Sequence, residues 1–141
     1  MKKILIISYC IFAFAITACS QKINVPAAVT NAFNSKYPGA TNVKWGKESA
    51  KEFEAEFNLN GNNVSANFAT NGTWVETETV IKVADLPAAV VAAINKKYPG
   101  AVITSAEKLE EPGDTLLYET VIKVKGKKRT LEMKADGSLA K

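Results

Sequence analysis

The sequence contains no histidine and only two cysteines in 141 residues. Without imidazole there is no His-based triad, no His-ligated zinc or haem, and no acid/base side chain whose ordinary pKa lies near neutrality. No Gly-x-Ser-x-Gly elbow, phosphate-binding loop, dinucleotide fingerprint or Asp-x-Asp-x-Asp-Gly calcium loop occurs either. Long apolar runs are equally scarce, with a single one at residues 4–18. The rest of the composition is ordinary, 47% apolar and 23% charged with 8 Gly and 5 Pro, which argues against disorder, collagen and coiled coil. The length suits one medium domain or two very small ones.

The apolar run follows Lys2 and Lys3 and ends at Ile16-Thr17-Ala18-Cys19. It is shorter than the roughly 20 residues of a membrane-spanning helix and suits a secretory signal core. The four residues resemble the bacterial lipobox, in which small side chains precede a cysteine whose thiol accepts a diacylglyceryl group. The expectation is a signal peptide over residues 1–18, a lipidated Cys19 with a short tether over 19–22, and stable attachment through two or three acyl chains. Cys10 would leave with the signal, so no thiol remains for a disulfide, a metal or a nucleophile. Removing Lys2 and Lys3 also lowers the net charge from +4 to +2, and export disfavours a nucleic-acid partner.

The remainder reads as a tandem repeat. Residues 25–40 align with residues 86–101 at a constant offset of 61, with 11 of 16 positions identical, including Pro-Ala-Ala-Val and Lys-Tyr-Pro-Gly-Ala. Further on the offset becomes 65, placing Phe53, Phe57, Gly61 and Gly72 on Tyr118, Ile122, Gly126 and Gly137. The extra residues fall in the turn-rich stretch 110–114. Each unit opens with a helical pattern, with Asn24 and Asp85 as expected N-caps and Pro26 and Pro87 in the first turn. Tyr37-Pro38-Gly39 and Tyr98-Pro99-Gly100 end the two helices.

Alternation of period two follows. Strands are predicted at residues 40–45, from Phe53 to Leu59, from Val64 to Phe68 and from Trp74 to Lys82, then at 102–109, 116–124 and 130–135, with a clipped last strand at 138–141. The predicted fold class is α+β, a tandem repeat over 23–82 and 83–141, each copy a helix followed by a three- to four-stranded antiparallel sheet. Units this small are marginal alone, so the two are expected to form one body, sharing a sheet edge or packing helix to helix.

The pattern Asp85-Leu86-Pro87-Ala88-Ala89-Val90 ending in Tyr98-Pro99-Gly100, the Val43-Lys44-Trp45 and Phe53-to-Phe57 strands, and Gly72-Thr73-Trp74 resemble the PepSY-like, beta-lactamase-inhibitor-like domains of bacterial envelope proteins. The resemblance covers residues 23–141. It implies helices packed on an antiparallel sheet, a periplasmic or surface lipoprotein, and a role in enzyme inhibition. It carries no binding residue over to this chain.

Candidate contacts come from the turns. Asn60-Gly61 is a tight-turn signal, and Lys125, Gly126, Lys127, Lys128 and Arg129, with Lys123, make a basic hairpin tip. That tip suits anionic headgroups or an acidic partner, or a solvated hairpin protecting a sheet edge. Trp45, Trp74, Tyr37 and Tyr98 read as packing residues, with an exposed aromatic platform as the alternative. Glu52, Glu54 and Glu56 on one strand, and Glu76 and Glu78 on another, read as a solvated outer sheet face with nothing to raise their pKa values. The leading expectation is therefore a non-enzymatic, lipid-anchored envelope protein, most simply in the outer membrane facing the periplasm. It would need no cofactor and would bind an envelope protein or peptide through its sheet face or loops. The alternatives are an inhibitor of a periplasmic hydrolase and a small-ligand or cation sensor.

Overall fold

The structure, a computed structural model, describes residues 23–140; the expected signal peptide and the expected lipidation at Cys19 lie outside the described residues. Helix α1 (Ala27–Lys36) is followed by β1 (Thr41–Lys47), β2 (Glu52–Leu59), β3 (Asn62–Ala69) and β4 (Trp74–Ile81). A 3-10 turn at Val83–Asp85 leads into α2 (Ala88–Lys97), then β5 (Val102–Glu111), β6 (Thr115–Val124) and β7 (Lys127–Lys134). Among the described residues no helix is long and apolar enough to cross a membrane.

All seven strands form one antiparallel sheet in sequence order. This corrects the expectation of three- to four-stranded sheets. β4 pairs with β5 from Thr77↔Glu110 to Ile81↔Ala106. That pairing removes two open edges, whose unpaired N–H and C=O groups would otherwise invite association. The clipped strand at 138–141 is reduced to one bridge, Met133↔Leu139.

The helix caps also differ from expectation. Neither Asn24 nor Asp85 caps a helix; Pro26 and Pro87 occupy the N-cap positions, with no side-chain cap bond. The carbonyl of Pro26 accepts the N–H groups of Val29 and Thr30, and that of Pro87 those of Val90 and Val91. Proline holds an extended ψ here while its carbonyl starts the helical ladder. Asp85 is drawn into the 3-10 turn instead.

Both helices lie on one face of the sheet, called here the inner face. In the first core Val29, Phe33 and Tyr37 of α1 pack on Phe53, Ala55, Phe57, Val64, Ala66 and Phe68, with Trp45 and Trp74 alongside. Phe33 meets Phe57 edge to face at 5.0 Å and Trp45 at 5.2 Å, a favoured aromatic geometry. In the second core Leu86, Val90 and Ile94 pack on Ala106, Ile122 and Met133. Two glycines set the helix height. At Gly72 an added Cβ would lie 2.6 Å from the Ala28 carbonyl oxygen, and at Gly137 2.5 Å from that of Ala89. The turns after β3 and β7 can therefore touch the first turn of α1 and α2 only with no side chain present.

Candidate functional site

The turn residues singled out in the sequence do form tight turns. Asn60 (φ 53°) and Gly61 (φ 83°) join β2 to β3, and Lys125 (φ 49°) and Gly126 (φ 77°) join β6 to β7. Both φ values are positive in each pair, as a two-residue type I′ turn requires. The up-and-down strand order places both turns at the same end of the sheet, but four strands apart, roughly 19 Å. They do not form one site. Lys127, Lys128 and Arg129 are exposed, and Arg129 lies 5.8 Å from the Tyr98 ring centroid.

The aromatic residues are packing residues. The Tyr37 hydroxyl hydrogen-bonds Thr77 Oγ1 and Trp74 Nε1 donates to the same oxygen at 3.0 Å, while Lys36 Nζ lies 3.6 Å over the Trp74 ring.

The sheet face away from the helices is where the structure departs most from the sequence reading. Strand alternation puts Glu54, Glu76, Glu78, Glu107, Glu119 and Glu132 on this outer face. They run as a diagonal belt from β2 to β7. One row reads Gly46, Glu54, Asn67, Glu76 across β1 to β4. Another reads Glu107, Glu119, Glu132 across β5 to β7, carboxylates on directly opposed residues. Glu78 lies between the rows, paired with Ser65 on one side and Leu109 on the other.

This face is not the solvated surface expected. Glu78 is 8% exposed and Glu119 6%, and Leu109 and Leu117 beside them are also buried. The belt contains no compensating cation: among the described residues none of the six joins an ion pair, and the Lys108–Glu110 bridge (2.8 Å) belongs to the inner face. Burial therefore dominates the titration. It pushes the Glu78 carboxyl up to about 8, aided by the charges of Glu107, Glu76 and Glu119 and opposed by the Ser65 hydroxyl, which donates to Oε2 at 3.2 Å. Glu54 rises to about 7 through burial, then the charges of Glu56 and Glu48. Glu119 rises to about 7 through burial, then those of Glu107 and Glu132. Glu76, Glu107 and Glu132 rise for the same first reason.

Asn67 completes the site. Its Nδ2 donates to Glu76 Oε1 at 2.8 Å, but its Oδ1 has no partner although the residue is 2% exposed. Sequence reading found Glu54, Glu76 and Glu78 and missed Glu107, Glu119, Glu132 and Asn67. A signal was available. The offset of 65 also places Glu54 on Glu119 and Asn67 on Glu132, and the offset of 61 places Gly46 on Glu107. The six carboxylates are spread at strand spacing, and among the described residues no three acidic groups converge on a metal position.

Comparison with known proteins gives the fold and the family. The chain is similar to a BLIP-like protein of Bacteroides fragilis, at 27% identity over 85% of this chain and 86% of that one, with a TM-score of 0.73. It is similar in fold to a DUF2874 family protein of Bacteroides ovatus (24% identity, 84% and 86% covered, TM-score 0.75). A third likeness is to a protein of Bacteroides eggerthii described as "putative periplasmic" (21% identity, 84% and 88% covered, TM-score 0.73). No curated protein matches the chain. The family model described as "Putative beta-lactamase-inhibitor-like, PepSY-like" matches residues 51–141, well over half the chain, so this protein, with its two helices on an antiparallel sheet, belongs to the PepSY-like, beta-lactamase-inhibitor-like family.

Proposed function

We propose that this is a non-enzymatic envelope protein, held to the membrane by lipid at Cys19, that binds a protein or peptide partner through the outer face of its sheet. The observation that carries the reading is the composition of that face: glutamates withdrawn from water with no cation beside them. Such an arrangement costs folding free energy, and binding that supplies the missing charge recovers it. The body that presents this face is read as two copies of one unit, residues 23–82 and 83–141, fused edge to edge through β4 and β5. Export is the part of this reading that the lipobox resemblance supports, and the B. eggerthii protein is itself described as periplasmic; attachment to the outer membrane facing the periplasm is part of the same proposal.

The test is site-specific photo-cross-linking in the native envelope, with the cross-linker at Ser65 on the outer face or at Lys127 on the hairpin tip. The reading expects one dominant adduct from position 65 and none from 127, and radiolabelled fatty acid incorporation that Cys19→Ser abolishes. An adduct from 127 alone transfers the contact to the turns. A second reading, inhibition of a periplasmic hydrolase by the Asn60-Gly61 or Lys125-Gly126 turn, is favoured by the BLIP-like name of the B. fragilis protein. It expects stoichiometric inhibition of a hydrolase that turn substitutions relieve. The cation-sensor reading expects calcium to raise the melting temperature.

A further inference from the structure

We propose that the outer-face belt recognises a basic segment of a partner protein, with carboxylates of Glu54, Glu76, Glu107 and their neighbours accepting from its arginine and lysine side chains and Asn67 Oδ1 serving as a neutral acceptor among them. The inference rests on the sheet-face reading above and specifies the partner's chemistry.

Three observations carry it. The first is charge. Six glutamates run across the face from β2 to β7, joined on it by Glu52, Glu56 and Glu111, while the lysines that share it by strand alternation, Lys44, Lys123, Lys128 and Lys134, stand on the edge strands β1 and β7 or near the end of β6 and pair with none of the six. An anionic membrane surface or a nucleic acid is repelled by such a face. The second is spacing. From β2 to β7 the belt crosses five inter-strand gaps, roughly 24 Å, with residues on one strand about 7 Å apart. That distribution suits several separate cationic heads on a chain and not one metal ion, in keeping with the lack of convergence among the acidic groups. The third is the orphan acceptor. Asn67 lies between Glu54 and Glu76 across the strands, its amide nitrogen engaged by Glu76 and its Oδ1 buried without a donor. Buried acceptors are rarely left unpaired. A guanidinium carries five N–H donors in a planar fork and can serve a carboxylate and this oxygen together.

The experiment titrates nona-arginine into the full chain, with nona-lysine and nona-glutamate as comparisons, followed by calorimetry and amide NMR shifts. The protein is net cationic, so attraction of a polycation must come from a local surface. The expected result is saturable binding of nona-arginine, tighter than nona-lysine, with shifts confined to β2 through β7 around the belt. Glu54→Gln/Glu76→Gln/Glu107→Gln weakens it at least tenfold. These substitutions relieve repulsion and keep the fold. Lys125→Gln/Lys127→Gln leaves it unchanged or tighter. Equal binding by the triple variant, equal binding of nona-glutamate, or shifts centred on the hairpin tip overturns the proposal. So does self-association of the chain through this face that excludes the peptide. A position-65 adduct with a partner, together with no nona-arginine binding, overturns the basic-segment inference and leaves the sheet-face reading standing. Peptide binding with no adduct from position 65 supports the chemistry of the belt and removes the sheet-face function.

Discussion

Replacing Glu78 by glutamine is expected to stabilise the protein at alkaline pH and to leave it unchanged in mild acid. Glu78 is buried between Ser65 and Leu109, and Glu107, Glu76 and Glu119 add repulsion to the cost of burial. Its carboxyl is raised from 4.5 to about 8 in the folded protein. A folded-state pKa above the unfolded one means that the native state binds the proton more tightly, so stability is complete below about pH 4.5 and is lost as pH rises through about 8. At 1.36 kcal/mol per pKa unit the full rise corresponds to about 5 kcal/mol. Neighbouring carboxyls share the repulsive part, which leaves about 3 kcal/mol for Glu78 alone, a large fraction of the roughly 5–15 kcal/mol that holds a domain folded. Glutamine has the shape of the protonated acid and never ionises. Urea unfolding at pH 4 and pH 9, read by fluorescence of Trp45 and Trp74, measures the difference directly. Wild type should lose stability between the two conditions, and Glu78→Gln should exceed it by about 3 kcal/mol at pH 9 and match it within about 0.5 kcal/mol at pH 4. Equal stabilities at pH 9, or a variant that is the weaker one there, would refute the claim that Glu78 is buried without compensation.

The other predictions concern the frame that carries this face. Gly72→Ala and Gly137→Ala each drive a methyl group onto a helix carbonyl at a positive φ, and each should lower stability by about 2–4 kcal/mol. Gly113→Ala, at a positive φ but in open space, should cost only about 1 kcal/mol in the same urea-unfolding assay. Phe33→Ala removes the ring that meets Tyr37, Trp45, Phe57 and Phe68 and should cost about 3–5 kcal/mol, with loss of near-ultraviolet circular dichroism. Lys125→Asn puts a residue tolerant of the left-handed region at φ 49° and should add about 0.5–1 kcal/mol to the unfolding free energy.

Local patterns were legible because they are local. Alternation from Phe53 to Phe68 placed β2, its turn and β3 within two residues, and the Tyr-Pro-Gly pairs ended both helices where Tyr37 and Tyr98 stand as C-caps. The N-caps were not legible because a helix-starting proline fits both the N-cap and the first turn, and only the bonds its carbonyl accepts, from Val29 and Thr30 or from Val90 and Val91, separate the two. The single sheet was legible only as one of two ways to join the units, because the β4–β5 pairing joins residues over 20 apart and has no motif of its own. The site failed for a related reason. Alternation shows which face a glutamate takes, but not whether that face is wet. Burial of Glu78 and Glu119 comes from Leu109, Leu117 and the flanking strands, which only the assembled sheet brings together. Offsets of 61 and 65 could have paired Gly46 with Glu107 and Glu54 with Glu119, had they been followed through the polar positions as well as the apolar ones.

The two faces of the sheet divide the energetics between them. On the inner face, two separate helix-on-strand cores bury aromatic side chains on one side and aliphatic ones on the other, and these supply the stability. On the outer face, opposed carboxylates at Glu107, Glu119 and Glu132 work against folding, since like charges directly across strands repel. A surface with no role beyond solubility would intersperse Lys and Glu there. Concentrating one sign on this face and withdrawing it from water weakens the free protein and strengthens any complex that neutralises it, because a charge-assisted bond formed away from solvent exceeds the same bond in water. The same linkage fixes the direction of proton movement. A cation that favours the ionised carboxylates lowers their pKa values, so binding near neutral pH must release protons and must tighten as pH rises toward 8. In the proposed complex stability and affinity are thus set against each other by the same six side chains, and a pH that weakens the fold is the pH at which the face is expected to bind best.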